Sequence, residues 1–231
     1  MCTAFVKKGN DRIVGFNFDL AKDAFQYDIY KTKSLFYIGV TAGSTTYKTH
    51  GVNKNGNSGN LPYMNGTPET KRFRGAAYQR IDLLNDRFIA GKLDYAALLE
   101  TVKAKTLVNI PGMSMHSLFS DRAGHMLLVE PGLGYRELAG DFALITNFPA
   151  LDPPENPAPA WCGVDRYETG LALLQNSGPD FSVSDAFALL RATAQDEPWA
   201  TRVSFVYSEN ESAVYYTEHR DFSHIQRHAF S

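Results

Sequence analysis

Cysteine is scarce in this chain, and long apolar runs are absent. The 231 residues include two cysteines, Cys2 and Cys162, too few for a disulfide framework. No run approaches the roughly 20 apolar residues of a membrane-spanning helix. The charged segment that follows Met1 also lacks the apolar centre of a secretory signal. These absences predict a cytoplasmic protein with free thiols and no membrane partner. Cys162 follows Trp161 beside a proline-rich segment, and we expect a buried bystander there, the alternative being a redox partner for Cys2.

An excess of charge of one sign is missing as well. The chain has 25 acidic and 23 basic residues and a net charge of −2, so it carries no basic field that would attract nucleic acid. Its six histidines lack metal-ligand spacing. His224 and His228 alone stand four residues apart, and they have no third ligand nearby in sequence. We therefore expect no nucleic-acid partner, no metal and no cofactor.

The chain does contain enough apolar sequence for one large domain over residues 1–231. Hydrophobic residues make up 44% and aromatic residues 13% of the sequence. The first 65 residues are rich in β-branched and aromatic residues and read as strands. A period of three to four residues then predicts a helix that Thr67 caps, with Phe73, Ala77, Ile81, Leu84 and Phe88 on one face, and a second helix near Asp94.

Strands and helices alternate again in the second half. Residues 113–130 predict a hairpin around Gly124, and residues 135–149 predict a further strand. Two helices follow, one with Asp165 and Glu168 in capping-box spacing and one capped by Ser182. A hairpin over residues 201–220 closes the chain. Blocks of strands and helices segregated in this way favour an α+β fold with helices packed on antiparallel sheets.

The position of Cys2 suggests a chemical role. An initiator methionine is generally removed before a small residue, and the mature chain would then begin at Cys2, with a thiol and a free α-amine on one carbon. The amine titrates near ~7.7–8.0 and a free thiol near ~8.5, so the amine can accept the thiol proton. The next strand ends in GFNFD and can return Asp19 to the amine. The alternative for Asp19 is an ordinary turn carboxylate.

Several motifs then occur in a familiar order: MCTAF, GFNFD, GVNKNG, LPYMN, LITNFP and GVDRY. Together they resemble the choloylglycine hydrolases, the bile salt hydrolases and penicillin V acylases within the N-terminal nucleophile hydrolases. The resemblance spans most of the chain. It implies a four-layer αββα sandwich and hydrolysis of a linear, non-peptide C–N amide, of the penicillin V, N-acyl amino acid or bile-acid conjugate type, without a cofactor.

The resemblance also implies roles for five residues. Cys2 matches the nucleophile, with its own amine as base, and Asp19 matches the aspartate that holds the amine. Asn147 matches the asparagine that donates to the oxyanion. Tyr63 stands where bile salt hydrolases have asparagine and penicillin V acylases often have tyrosine. Arg166 matches the late arginine that supports the nucleophile, by steadying the thiolate or by fixing Asp19.

The sequence departs from the family pattern at two places. Phe16 replaces an arginine of the family, and we expect Phe16, Tyr63 and Phe148 either to form an apolar acyl pocket or to serve as core residues. Eighteen residues, 148–165, separate Asn147 from Arg166, where bile salt hydrolases carry a long extension that helps to assemble tetramers. A homo-oligomer is therefore left open.

Two other functions fit the same residues. An acyltransferase would form the same thioester and pass the acyl group to an amine. A non-catalytic binding protein would have kept the fold after losing the arginine that Phe16 replaces.

Overall fold

Two antiparallel sheets and four helices make up most of the described chain. The structure is a computed structural model, and it describes residues 2–65, 75–153 and 163–231. Its strands are β1 (Cys2–Lys8), β2 (Arg12–Asp19), β3 (Gln26–Lys31), β4 (Leu35–Ala42), β5 (Thr45–Asn53), β6 (Ser58–Gly59), β7 (Tyr78–Arg80), β8 (Thr106–Val108), β9 (Ser117–Ser120), β10 (Met126–Glu130), β11 (Gly134–Glu137), β12 (Phe142–Ile145), β13 (Thr201–Ser208), β14 (Ala213–Glu218) and β15 (Gln226–Ala229). The helices are α1 (Ile81–Ile89), α2 (Tyr95–Ala104), α3 (Val164–Gln175) and α4 (Val183–Ala192).

The first sheet positions the amino-terminal segment. Its strand order is β12-β1-β2-β13-β14-β15, so β1 has a partner on each side. β1 and β2 form a hairpin in which Cys2 lies opposite Phe18. This register brings Asp19, the last residue of β2, beside the start of β1, as the sequence predicts.

The second sheet has the order β11-β10-β9-β6-β5-β4-β3, and β7 pairs with β8 in a short parallel pair. Side chains alternate between the two faces of each strand. In β1, Ala4 and Val6 belong to the apolar cluster that also contains Phe36 and Leu128 of the second sheet. Cys2 has the same parity and belongs to the same cluster, so its side chain faces the space between the sheets.

The helices cover the outer face of each sheet. A second cluster joins α3 and α4 to the outward side chains of the first sheet, including Phe5 and Ile13. A third cluster joins α1 and α2 to Phe119 and Leu127 of the second sheet. The three clusters give the order helices, sheet, sheet, helices, which is the αββα sandwich that the resemblance implies.

Local signals predict several of these elements correctly. Asp94 caps α2 by accepting from the Ala97 N–H at 2.8 Å. Ser182 caps α4 in a reciprocal capping box with Asp185. The hairpin around Gly124 and the closing hairpin over β13 and β14 are also confirmed.

Three predictions about the elements are wrong. Ala77 precedes β7 and is not in a helix, because residues 78–80 pair with β8. Thr67 and Phe73 lie outside the described residues. The run after residue 135 is two strands in different sheets, β11 and β12, rather than one. α3 begins after Gly163 in a left-handed conformation, with φ of 80°, and no side chain caps it.

Candidate active site

Cys2 lies at the protected start of a paired strand. It is 5% exposed. Its backbone N–H donates to Oδ1 of Asn147 at 2.8 Å. Asn147 follows β12, the other neighbour of β1, and is fully buried. The terminal segment is therefore held by β2 on one side and by Asn147 on the other.

Arg166 fixes the same segment from α3. Its guanidinium donates to the Cys2 carbonyl oxygen at 2.6 Å, to Thr3 Oγ1 at 3.1 Å and to Asn147 Oδ1 at 2.7 Å. A Cβ atom on Gly163 would stand 2.5 Å from Nη2 of Arg166, so the close approach of the guanidinium requires a glycine there. Arg166 thus positions the backbone of Cys2 and the amide of Asn147.

Asp19 completes the polar group and is buried. Its carboxylate accepts from Thr201 Oγ1 and from Gln195 Nε2, each at 2.6 Å, and lies 3.6 Å from Nη1 of Arg166. That distance indicates an ion pair and not the paired hydrogen bonds of a guanidinium fork. Burial raises the pKa of Asp19 to about 6, since it outweighs the lowering effects of the positively charged chain terminus, Arg166 and the two donors.

The thiol of Cys2 is also disfavoured as an ion in this setting. Burial raises its pKa to about 11, and the negative charge of Asp19 acts in the same direction. The positive charge of the chain terminus, a backbone hydrogen bond from Asp19 and the charge of Arg166 oppose this rise and do not cancel it. A thiol with such a pKa is protonated at neutral pH, so it needs a base to become a nucleophile.

A cavity of about 440 Å³ opens next to Cys2. Its volume lies in the range of small-molecule sites, ~300–1,000 Å³. Its lining is mainly apolar and comes from both sheets and the loops at their ends: Cys2, Phe18, Asp19, Leu20, Phe25, Val40, Ala42, Tyr47, Thr49, His50, Leu61, Tyr63, Asn65, Asp82, Ile110, Met113, Met115 and Trp199. A larger groove of about 1,060 Å³ adjoins it and shares Leu20, Phe25 and Ala42.

The structure separates the three predicted pocket aromatics. Tyr63 lines the cavity and is 49% exposed. Its carbonyl oxygen accepts from Nδ2 of Asn147 at 2.6 Å. Phe16 is buried in the central cluster and does not line the cavity, and Phe148 packs edge-on against Tyr167 away from it. The geometry therefore favours core positions for Phe16 and Phe148.

Two residues that line the cavity, His50 and Asn65, were not predicted from the sequence as site residues. His50 stacks on Phe16 with ring centroids 4.1 Å apart, and its Nδ1 accepts from the Leu61 N–H at 3.1 Å. Burial lowers the pKa of His50 well below 6.5, so the ring is neutral with its proton on Nε2. Asn65 is the second, and its Nδ2 is buried without a hydrogen-bond partner among the described residues.

A buried acid–base pair supports the Asn147 loop. Nδ1 of His116 lies 2.9 Å from Oε1 of Glu130, and its Nε2 lies 2.8 Å from the Thr146 carbonyl oxygen. Glu130 also accepts from the backbone N–H groups of Ala150 and Leu151 at 2.8 and 2.9 Å. The pair ties both ends of the 146–151 segment to the end of β10 and to the residue that precedes β9.

Neither a metal cluster nor a membrane helix is found in the described ranges. No group of three histidine, cysteine or acidic side chains in those ranges is arranged to hold a metal ion. None of the described helices has the length and apolar character needed to cross a membrane. Cys162 lies outside the described residues, so its predicted role stays a prediction.

Comparison with known proteins shows the fold. No family model and no curated protein matches the sequence. Among solved structures, a single-substitution variant of conjugated bile acid hydrolase from Clostridium perfringens superposes with a TM-score of 0.67 and 14% identity, covering 98% of this chain and 92% of that one.

Two further structures agree with this result. Penicillin V acylase from Agrobacterium tumefaciens gives a TM-score of 0.60 at 13% identity, over 94% of this chain and 83% of that one. The N-acylethanolamine-hydrolyzing acid amidase ortholog from Caenorhabditis elegans gives 0.58 at 14% identity, over 90% and 93%. The chain thus shares the fold of these three proteins, as the resemblance to choloylglycine hydrolases implies.

Proposed function

We propose that this chain is an amidohydrolase that cleaves a linear, non-peptide C–N amide through a thioester on Cys2. One observation carries the proposal: Cys2, Asp19, Asn147 and Arg166 form one buried polar group at the wall of an apolar cavity. Chain folding brings these residues together from four separate segments. The solved structures that share the fold are named for the hydrolysis of amides, which supports the same activity.

The first half-reaction needs the free amine of Cys2 after removal of Met1. The amine takes the thiol proton as sulfur adds to the amide carbonyl carbon, and the C–S bond forms. The carbonyl oxygen then carries negative charge, which Asn147 and a backbone N–H near Tyr63 stabilise. The tetrahedral intermediate collapses when the C–N bond breaks, and the ammonium gives its proton to the leaving nitrogen.

The second half-reaction returns the enzyme to its starting state. Water adds to the thioester carbonyl and gives a proton to the amine. The C–S bond breaks, the sulfur regains its proton, and the carboxylic acid leaves. The Asp19 carboxylate holds the amine in place during both steps, and Arg166 keeps the Cys2 carbonyl and the Asn147 amide in position.

The cavity indicates the kind of acyl group. Apolar side chains dominate its lining, and the described lining includes no lysine or arginine. An aromatic, fatty or steroid acyl group fits this environment, and penicillin V, N-acyl amino acids and bile-acid conjugates are the amides to test first. The partner is thus a small-molecule substrate, and the cytoplasm would keep the thiol reduced.

The test is detection of the acyl-enzyme and its turnover. Mature protein is incubated with the amide panel, and intact mass is recorded on quenched samples. We expect the mass of the acyl group on Cys2, release of the acid, and loss of both in Cys2→Ser. Retained hydrolysis in Cys2→Ser would refute the assignment. Addition of a competing amine would reveal an acyltransferase as a new amide product.

A further inference from the structure

A buried amide group in the cavity wall has a donor with no partner. Asn65 is 9% exposed. Its Nδ2 is inaccessible to solvent and makes no hydrogen bond to any described residue. Buried polar groups are nearly always hydrogen-bonded, and an unpaired donor lowers the stability of the fold. A ligand that offers an acceptor at this place would supply the missing bond.

The backbone of Asn65 is joined to the candidate catalytic group. Its N–H donates to the Asn147 carbonyl oxygen at 2.6 Å. The side chain of the same Asn147 accepts from the Cys2 backbone at 2.8 Å. Asn65 is therefore bound to the main-chain oxygen of Asn147 and Cys2 to its side-chain oxygen, and both residues line the cavity.

The donor expected from the sequence is partly occupied. Nδ2 of Asn147 donates one of its two hydrogens to the Tyr63 carbonyl oxygen at 2.6 Å. One hydrogen of Asn147 is left for a substrate, and an oxyanion is best stabilised by two or more aligned donors. Nδ2 of Asn65 donates to no described residue, so neither of its two amide hydrogens has an assigned acceptor.

We propose that Nδ2 of Asn65 donates to the carbonyl oxygen of the bound amide and stabilises the oxyanion that forms when Cys2 attacks. This inference rests on the proposed function. Asn65 is then a catalytic residue that contacts the reacting group. It acts together with Asn147 and the backbone N–H near Tyr63, and the bound carbonyl gives its unpaired donor an acceptor.

A second buried amide provides a matched control. Nδ2 of Asn53 also lacks a described partner, but Asn53 does not line the cavity. Its Oδ1 accepts from the N–H groups of Asn55 and Asn57 at 2.9 and 3.2 Å. Asn53→Ala therefore removes a buried unpaired donor and two loop hydrogen bonds without touching the proposed oxyanion site.

The experiment compares Asn65→Ala with Asn53→Ala in three assays. The first is kcat/KM on the best amide of the panel. The second is the inhibition constant of an aldehyde analogue of that amide, which adds to Cys2 as a tetrahedral hemithioacetal. The third is alkylation of Cys2 by iodoacetamide, which displaces iodide and forms no oxyanion. Circular dichroism and thermal unfolding measure the folded fraction.

For Asn65→Ala we expect kcat/KM to fall about 10²- to 10³-fold and the aldehyde to bind more weakly by a similar factor. Alkylation of Cys2 should change by less than about threefold. For Asn53→Ala we expect a lower Tm and near wild-type values per folded molecule. A kcat/KM within threefold of wild type in Asn65→Ala would overturn the inference, as would a parallel loss of alkylation.

The two proposals fail in different ways. An active wild type with an equally active Asn65→Ala would refute the role of Asn65 and leave the hydrolase assignment intact. A wild type that forms neither an acyl-enzyme nor an aldehyde adduct on Cys2 would refute both.

Discussion

Retention of Met1 should strongly reduce the reactivity of the Cys2 thiol. Two chains that differ only in this residue can be released from a fusion by a protease that leaves the native first residue. In the chain that begins with Met1, the nitrogen of Cys2 is an amide and cannot accept a proton. In the chain that begins with Cys2, the same nitrogen is an amine, held near Asn147 Oδ1 if the segment keeps its place.

The size of the effect follows from the pKa of the thiol. With Met1 in place, burial raises this pKa to about 11. At about pH 7.5 the thiolate fraction is then roughly 3 × 10⁻⁴, against roughly 0.1 for a free thiol of pKa ~8.5. The chain that keeps Met1 should thus react ~300-fold more slowly than a free cysteine. We expect the Cys2 thiol of the processed chain to react at least ~100-fold faster than that of the chain that keeps Met1, because the amine of the processed chain can take the thiol proton.

The assay is the rate of carbamidomethylation by iodoacetamide, followed by intact mass. Cys2→Ser gives the background from Cys162. The processed chain should also be the only one that forms an acyl-enzyme. Equal alkylation rates in the two chains would refute the reasoning, because the amine would then contribute nothing to the reactivity of the sulfur.

Three further predictions concern the groups around the thiol. Asp19→Asn should become more stable relative to wild type by about 2 kcal/mol between pH 4 and pH 7 in urea unfolding, because a carboxyl whose pKa is raised from 3.8 to about 6 destabilises the wild-type fold as pH rises through that window. Gly163→Ala should lower both Tm and kcat/KM, whereas Gly140→Ala, also at positive φ but with open space around it, should lower only Tm; similar activities would argue against the contact with Arg166. Glu130→Ala should lower the free energy of unfolding by ~3–5 kcal/mol in urea and reduce activity. A smaller loss of stability would mean that the His116–Glu130 pair does not hold the 146–151 segment in place.

The sequence predicts elements whose signals are local. α2 and α4 begin at Asp94 and Ser182 because each side chain caps its own helix. The β1–β2 hairpin follows from two adjacent apolar runs and a turn. These elements depend on residues a few positions apart, so a single sequence contains the information that fixes them.

Elements that depend on distant partners were not predictable in this way. Residues 78–80 continue a helical period, yet they pair with residues 106–108 as a strand. Between β11 and β12 the chain leaves one sheet and joins the other over residues 138–141. Strand pairing of this kind is a property of the assembled fold.

The candidate site shows the same division. Cys2, Asp19, Asn147 and Arg166 are identified by motifs and come together in the structure. Asn65 belongs to no motif that indicates such a role. It is identified by its Nδ2 atom, which folding buries without a hydrogen-bond partner among the described residues. For Phe16 the sequence leaves pocket and core open, because an apolar side chain suits both, and only the folded chain places it in the core.

Phe16, which the resemblance aligns with an arginine of the family, bears on how the thiol would be activated. Phe16 stacks on the neutral ring of His50 with ring centroids 4.1 Å apart, and it belongs to the apolar cluster that also contains Cys2. Arg166 directs its described hydrogen bonds to the Cys2 carbonyl oxygen, Thr3 Oγ1 and Asn147 Oδ1, and its charge lowers the thiol pKa by less than burial raises it. A cation that acts on the backbone cannot substitute for a base that takes the thiol proton. In the proposed mechanism, the α-amine exposed by removal of Met1 is the group that takes this proton, and substitutions around it should act through how well they hold that nitrogen beside the sulfur.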